Sequence, residues 1–254
     1  MISLRKRIRR GDLVFGTFLL EIAHPAIPKI LAGAGFDFVI VDMEHGTHTV
    51  ESSAIIAGSA RAAGITPLVR VAEASRTNVL RSLEGGAYGI MLPSIRCRSD
   101  VEALYTLSKY PPEGERGVAF GTAHTDYEFV DAQAYLPQAN DNTLLVGQIE
   151  TRQALEDLDD ILASGALDVA FVGPYDLSVA LGVPGNINAP SVQVAMQRVL
   201  DQCQAHGVAP GIFVMTAAVG QKVVAQGFRF VACSSELFMM MSHSGAIVRE
   251  LSAA

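Results

Sequence analysis

Cysteine is scarce in this 254-residue chain: Cys97, Cys203 and Cys233 form no close pair and leave one thiol over from any disulfide scheme. A disulfide framework is therefore excluded, and a reducing cytoplasm is the expected compartment. CxxC and HxxxH spacings are absent, which removes the usual structural zinc sites and leaves oxygen donors for any metal. No apolar run reaches the ~18–20 residues needed to cross a bilayer, so no membrane association is expected. Lys and Arg number 19 against 26 Asp and Glu, and the net charge of −7 disfavours nucleic acid as a partner, because phosphate binding needs a basic surface. The one basic cluster, Arg5, Lys6, Arg7, Arg9 and Arg10, has the charge of a signal-peptide n-region, but Gly11-Asp12 interrupts it before a strand-like run. No signal peptide is expected, and the cluster reads as the solvated face of a short first helix. No linker or composition shift divides the chain, so residues 1–254 are read as a single domain.

What is present is a hydrophobic content of 50%, enough for a full core, in a length suited to one (β/α)8 barrel of roughly 250 residues. Eight apolar, β-rich runs read as strands: Val14–Leu20, Phe38–Val41, Pro67–Val71, Gly89–Leu92, Leu144–Ile149, Asp168–Val172, Ala209–Val214 and Phe230–Cys233. Helical patterns alternate with them at Ala26–Ala34, Val50–Ala63, Asn78–Glu84, Asp100–Tyr110, Arg152–Ala163, Ser191–Ala205, Ala217–Gln226 and Glu236–Glu250. Glycines such as Gly35, Gly64 and Gly207 stand where helix C-caps would feed the next strand. Strict βα alternation predicts a parallel sheet, and eight units predict an α/β fold closed into a single TIM barrel. The longest stretch without a clear element runs from Tyr110 to about Asn142 and reads as a functional lid or contact loop.

In such a barrel the C-terminal strand ends carry the chemistry. Asp42, Glu44 and His45 follow the second strand, Arg70 lies in the third, Glu150 follows the fifth, and Asp176 lies just beyond the sixth. Asp176 alone reads equally well as a helix N-terminal acid. Glu150 is harder to assign to structure, since an acid directly after Leu144–Ile149 is costly near a core without a cation. Two acids without His or Cys partners suit a hard cation such as Mg²⁺ or Mn²⁺. An imidazole at His45 can carry a proton near neutral pH. Arg70, inside an apolar strand, calls for an anion, a developing enolate oxygen or a salt bridge in the barrel mouth. His24, His48 and His124 read as polar loop residues and His206 and His243 as surface; Phe238 with Met239–Met241 reads as core or subunit interface.

Six segments carry a wider likeness: Leu31–Asp37, Asp42-Met43-Glu44-His45, Val69-Arg70, Tyr110–Gly117, Gln148-Ile149-Glu150-Thr151 and Gly173–Ser178. Their order and spacing resemble the HpcH/HpaI aldolases, metal-dependent class II pyruvate aldolases, over nearly the whole chain. The resemblance implies a barrel of the phosphoenolpyruvate/pyruvate-domain type that reversibly cleaves a 4-hydroxy-2-oxo acid to pyruvate and an aldehyde, in aromatic or sugar-acid catabolism. By the same resemblance Glu150 and Asp176 hold Mg²⁺, Mn²⁺ or Co²⁺, which pyruvate chelates. His45 is then the acid/base group and Arg70 the enolate-stabilising cation. Gln148 contacts pyruvate, the backbone at Gly173-Pro174 binds its carboxylate, Asp42 orients the site, and Glu84 pairs with His45. A homohexamer, a trimer of dimers, is implied as well. Phe18, Glu21 and His24 fall in the first βα region, and His124 stands where similar proteins often carry Arg, so the aldehyde preference does not carry over.

The readings that compete are a Schiff-base aldolase, a citrate-lyase-type CoA-ester lyase and a non-catalytic barrel that binds an oxo acid. A Schiff base needs a lysine in the barrel mouth, and Lys6, Lys29, Lys109 and Lys222 all fall in helical or terminal regions. A simple binding protein has no need of a proton carrier at His45.

Overall fold

The computed structural model describes residues 3–253. Strands β1 (Val14–Leu19), β2 (Phe38–Asp42), β3 (Thr66–Arg70), β4 (Gly89–Leu92), β5 (Leu144–Ile149), β6 (Val169–Val172), β7 (Ala209–Val214) and β8 (Phe230–Ser235) pair in parallel in chain order, and β8 closes on β1. Helices α1 (Leu4–Arg9), α2 (Ala26–Gly33), α3 (Val50–Ala63), α4 (Arg76–Glu84), α5 (Arg98–Ser108) and α6 (Ala132–Asn142) are followed by α7 (Arg152–Glu156) and α8 (Leu158–Ala163). The rest are α9 (Pro174–Ala180), α10 (Pro190–His206), α11 (Ala217–Gln226) and α12 (Glu236–Ser252). The fold is a (β/α)8 barrel, and no helix among the described residues is long and apolar enough to cross a membrane.

The period of two along each strand sorts side chains into two cores. Phe38 and Ile40 of β2, Leu68 of β3, Leu144 and Val146 of β5 and Val169 and Phe171 of β6 fill the barrel interior, while Val39, Val41, Val69, Leu145 and Val172 face the helices. The same parity carried to the C-terminal strand ends turns Asp42, Arg70, Gln148 and Glu150 inward. Space for this interior is set by small residues: at Gly16 a Cβ would overlap the Phe38 ring, which stacks on Phe230 with centroids 4.0 Å apart. The cap glycines Gly64 and Gly207 adopt φ of 77° and 68°, the left-handed conformation that ends a helix at little cost for glycine.

Three elements depart from the sequence expectation. The basic N-terminal cluster is only in part a solvated face: Lys6, Arg9 and Arg10 are exposed, but α1 plugs the N-terminal end of the barrel with Leu4 and Ile8, and Arg5 is buried with Nε 2.8 Å from both Asp168 carboxylate oxygens. Part of the expected Tyr110–Asn142 loop is helix α6, whose Pro137 and polar composition hide its pattern. Its buried Asn140 accepts the Tyr110 N–H at 2.7 Å and donates to the Tyr110 carbonyl at 3.0 Å, which ties the segment to the end of α5. The single helix expected over Arg152–Ala163 is two, divided at Asp157.

The last helix is unusual. Phe238, Met240, Met241, Ile247, Val248 and Leu251 of α12 are all exposed. Meanwhile a cavity of about 400 Å³, lined by Phe15, Phe36, Gly220, Val224, Val231 and Cys233, lies open beside the outer side of β1 and β8.

Candidate active site

Four inward side chains form one connected row across the mouth. Asp42 and Arg70 are register partners at the ends of β2 and β3. Arg70 Nε donates to Asp42 Oδ1 at 2.9 Å and its Nη2 to Asp42 Oδ2; Nη1 donates to Gln148 Oε1 at 3.3 Å. Gln148 Nε2 in turn donates to Glu150 Oε2 at 2.8 Å. Asp42 is fully buried; burial alone would raise its pKa, but the Arg70 hydrogen bonds and charge, with the N–H groups of Glu44 and His45, outweigh it and hold the carboxyl below its ordinary value. The Arg70 guanidinium also lies 4.9 Å over the Phe18 ring.

Glu150 is 6% exposed, and burial, with a contribution from Asp176, pushes its carboxyl up to about 7. Its Oε1 accepts the N–H of Ser94 at 2.8 Å. Ser94 holds φ at 49°, a strained value for a non-glycine residue that is retained where it aims an N–H at the carboxylate. Gly173 lies so close that a Cβ would overlap Glu150 Oε2. Asp176 sits in the first turn of α9 and is exposed to the same cavity.

This cavity of about 220 Å³ is lined by His45, Arg70, Gln148, Gly173, Pro174 and Asp176, with Phe18, Phe171, Phe213 and Phe238 as its apolar wall. A buried carboxylate held by two donors, beside a second carboxylate, fits a hard divalent ion with positions left for substrate oxygens. No cluster of three or more His, Cys, Asp or Glu donors occurs among the described residues, so the protein alone would not complete the coordination sphere. His45 reaches in from the β2–α3 loop with its side chain 64% exposed, its Nε2 3.8 Å from Glu44 Oε2.

The structure thus brings together His45, Arg70, Asp42, Gln148, Gly173, Pro174, Glu150 and Asp176. Glu84 is the exception. It ends α4, which runs back from the mouth, so the turn Gly85-Gly86 that leads into β4 places it at the opposite end of the barrel from His45 of the same chain. It neighbours Tyr110, Arg116 and His124 there. A βα helix runs antiparallel to its strands, and that alone separates the two residues.

Glu44 joins the site without a sequence signal of its own; its Oε2 lies 3.2 Å from Arg70 Nη1 without a hydrogen bond, and burial raises its pKa. Ser94 carries no sequence signal beyond following a strand and a proline. His24 accepts the Ala26 N–H at 3.1 Å at the start of α2, and His48 is buried.

Residues 15–242 match the family model described as HpcH/HpaI aldolase/citrate lyase. The chain is similar to the 5-keto-4-deoxy-D-glucarate aldolase of Shigella dysenteriae, 32% identical over 221 residues that cover 87% of this chain and 86% of the relative. In structure it is similar to an HpcH/HpaI aldolase from Desulfitobacterium hafniense, with a TM-score of 0.96 at 32% identity, covering 100% of this chain and 98% of that one. It is also similar to the citrate synthase SbnG, with a TM-score of 0.86 at 28% identity over 100% of both chains.

Proposed function

The chain belongs to the HpcH/HpaI aldolase/citrate lyase family and is an aldolase, a carbon–carbon lyase, and from that premise we propose that it reversibly cleaves a 4-hydroxy-2-oxo acid to pyruvate and an aldehyde with a divalent metal at Glu150 and Asp176. The observation that carries this reading is the buried Glu150 carboxylate, bonded to Gln148 and close enough to Asp176 to feel its charge, behind the cavity that Gln148, Asp176, His45 and Arg70 line. Mg²⁺, Mn²⁺ or Co²⁺ would act there as a Lewis acid that polarises the 2-oxo group and acidifies the adjacent carbon. Gln148 and the backbone at Gly173-Pro174 orient the oxo-acid end. His45 takes the proton of the C4 hydroxyl; the C3–C4 bond breaks, the aldehyde leaves, and its electron pair becomes the enolate of pyruvate. Arg70, held by Asp42, presents its guanidinium to the developing enolate oxygen, the type of charge stabilisation that usually dominates such catalysis. Protonation of the enolate carbon completes pyruvate.

The relative's substrate supports the class: 5-keto-4-deoxy-D-glucarate, counted from its keto end, is a 2-oxo-3-deoxy-4-hydroxy acid. A sugar-derived acid is the substrate we assign. The likeness to a citrate synthase supports a second reading, carbon–carbon bond formation onto an oxo-acid acceptor. The exposed apolar face of α12 and the open cavity beside β1 and β8 support a homo-oligomer, a hexamer, in which α12 docks on another copy. Three free cysteines support a cytoplasmic setting.

Solvent deuterium exchange into the pyruvate methyl group, followed by NMR with Mg²⁺ or Mn²⁺ and with EDTA, tests the core of the reading. Metal-dependent exchange, lost in Glu150→Gln, is expected. Absence of exchange with every metal overturns it.

A further inference from the structure

Another buried acid lies close to the mouth and takes no part in the chemistry just described. Glu236 opens α12 directly after β8 and is 6% exposed. Its Oε1 accepts the N–H groups of Leu20, Glu21 and Ile22 at 2.8, 2.8 and 3.1 Å, and its Oε2 accepts the Leu20 N–H at 3.0 Å. Three successive N–H groups closing on one carboxylate form an anion nest, and bonds to an ionised acceptor are the strong kind. The oxygens of Glu236 are engaged with backbone rather than with the cavity. It holds the loop between β1 and α2.

That loop holds His45. The Leu20 carbonyl accepts the Thr47 N–H at 2.9 Å, and Glu21 Oε2 accepts the Thr47 hydroxyl at 3.2 Å. Gly46 is packed so closely that a Cβ would overlap the Leu20 carbonyl oxygen and stand 2.8 Å from that of Asp42. Leu20 and His45 line the same cavity. The approach to Glu236 is itself forced: Ser234 is a buried non-glycine residue with φ of 62°, its carbonyl accepting the Thr17 hydroxyl at 3.0 Å, at the place where the β1–β8 register shifts.

We propose that Glu236 is the positioning residue for His45: its carboxylate locks Leu20–Ile22, which in turn fixes the Gly46-Thr47 turn and the imidazole beside it. The role rests on the reading of His45 as the proton carrier. The test compares the full-length protein with Glu236→Gln, Glu236→Asp and Gly46→Ala. Amide hydrogen exchange is followed by mass spectrometry over residues 18–24 and 43–48, together with Mn²⁺ binding by calorimetry and steady-state cleavage.

In Glu236→Gln, protection of the Leu20–Ile22 amides falls by about tenfold or more, the loss expected for charge-assisted bonds. Protection of Thr47 falls with it. Mn²⁺ affinity stays within twofold, kcat drops by at least tenfold, and KM changes little. Glu236→Asp keeps the charge but is one methylene shorter; it recovers part of the Thr47 protection and of kcat together. Gly46→Ala reproduces the kcat loss from the other side of the contact. Unchanged Thr47 protection in Glu236→Gln, or a full kcat despite lost protection, overturns the proposal. If Glu236→Gln does not fold, Glu236→Asp decides by whether Thr47 protection and kcat fall in proportion. If the wild-type protein shows no metal-dependent turnover, the functional reading fails, and the Thr47 result still decides whether Glu236 sets the loop.

Discussion

Replacing Asp42 by asparagine keeps the shape of the side chain and removes its charge, which isolates what the Asp42–Arg70 pair contributes. Asp42 is fully buried and Arg70 is 10% exposed at its side chain, so solvent screens the pair little. Removing one partner of a buried pair costs ~3–5 kcal/mol, because the remaining charge stays desolvated. Glu44 Oε2, 3.2 Å from Arg70 Nη1, is left to share that charge and sets the expectation at the lower end, about 3 kcal/mol. Urea unfolding at fixed protein concentration measures this for Asp42→Asn, Arg70→Gln and the double variant, with an expected coupling of about 2 kcal/mol or more. The pH dependence has a definite sign. Because the folded-state pKa of Asp42 is lowered, its contribution is fully present above the unfolded value near 3.8 and is lost as pH falls through the lower folded value. Asp42→Asn therefore flattens the acid limb of the stability curve below about pH 4. Turnover falls as well, since Arg70 loses the partner that aims it. A stability loss under about 1 kcal/mol, the value of an exposed pair, with no coupling would falsify the reasoning.

Other consequences are more quickly stated. Glu150→Gln abolishes Mn²⁺-induced thermal stabilisation and lowers pyruvate methyl exchange by about 10²–10³-fold, the usual scale for losing a charge-stabilising element; retention of both effects refutes the metal assignment. His45→Asn leaves stability within about 0.5 kcal/mol, because the side chain is largely exposed, yet stops cleavage, and a turnover near wild type removes His45 from the mechanism. Burial, followed by the Arg116 charge, pushes His124 down to about 4 from 6.5, so its contribution to stability is complete above pH 6.5 and declines as pH falls toward 4. At about 1.36 kcal/mol per tenfold change in proton affinity the effect is bounded by about 3 kcal/mol. His124→Gln is expected to reduce the acid lability measured by thermal melts at pH 4.5 and 7.5. Val248→Glu and Leu251→Glu, placed on the exposed apolar face of α12, are expected to shift the mass measured by light scattering to that of the monomer, and an unchanged mass rules out α12 as the docking element.

Much of the site could be read in the chain because a strand's period of two links core to mouth. Phe38 and Ile40 announce that Asp42 points inward, and Leu144 and Val146 say the same of Gln148 and Glu150. Within one chain Glu84 stands apart from His45, because likeness of motif carries no direction: a helix that returns to the N-terminal end takes its last residue with it. Ser94 and Glu236 escaped notice for a different reason. Each works through backbone geometry, one donating its own N–H from a left-handed turn and the other collecting the N–H groups of residues more than two hundred positions away. Neither residue type nor spacing encodes that. The burial of Arg5 within the basic cluster of α1 is not legible either, because its partner, Asp168, is 163 residues away and meets it only when the barrel closes.

By itself the sequence determined the barrel: eight apolar runs, βα alternation and cap glycines leave parallel closure as the arrangement that buries both faces of every strand. It also determined which residue types stand at the strand ends, since local pattern decides where a strand stops and which parity faces in. Tertiary structure alone decided which of those residues meet. The Asp42–Arg70–Gln148–Glu150 row, the Ser94 donor and the Glu236 nest all depend on register between strands and on the conformation of single residues, terms that arise only when distant segments are fixed against one another.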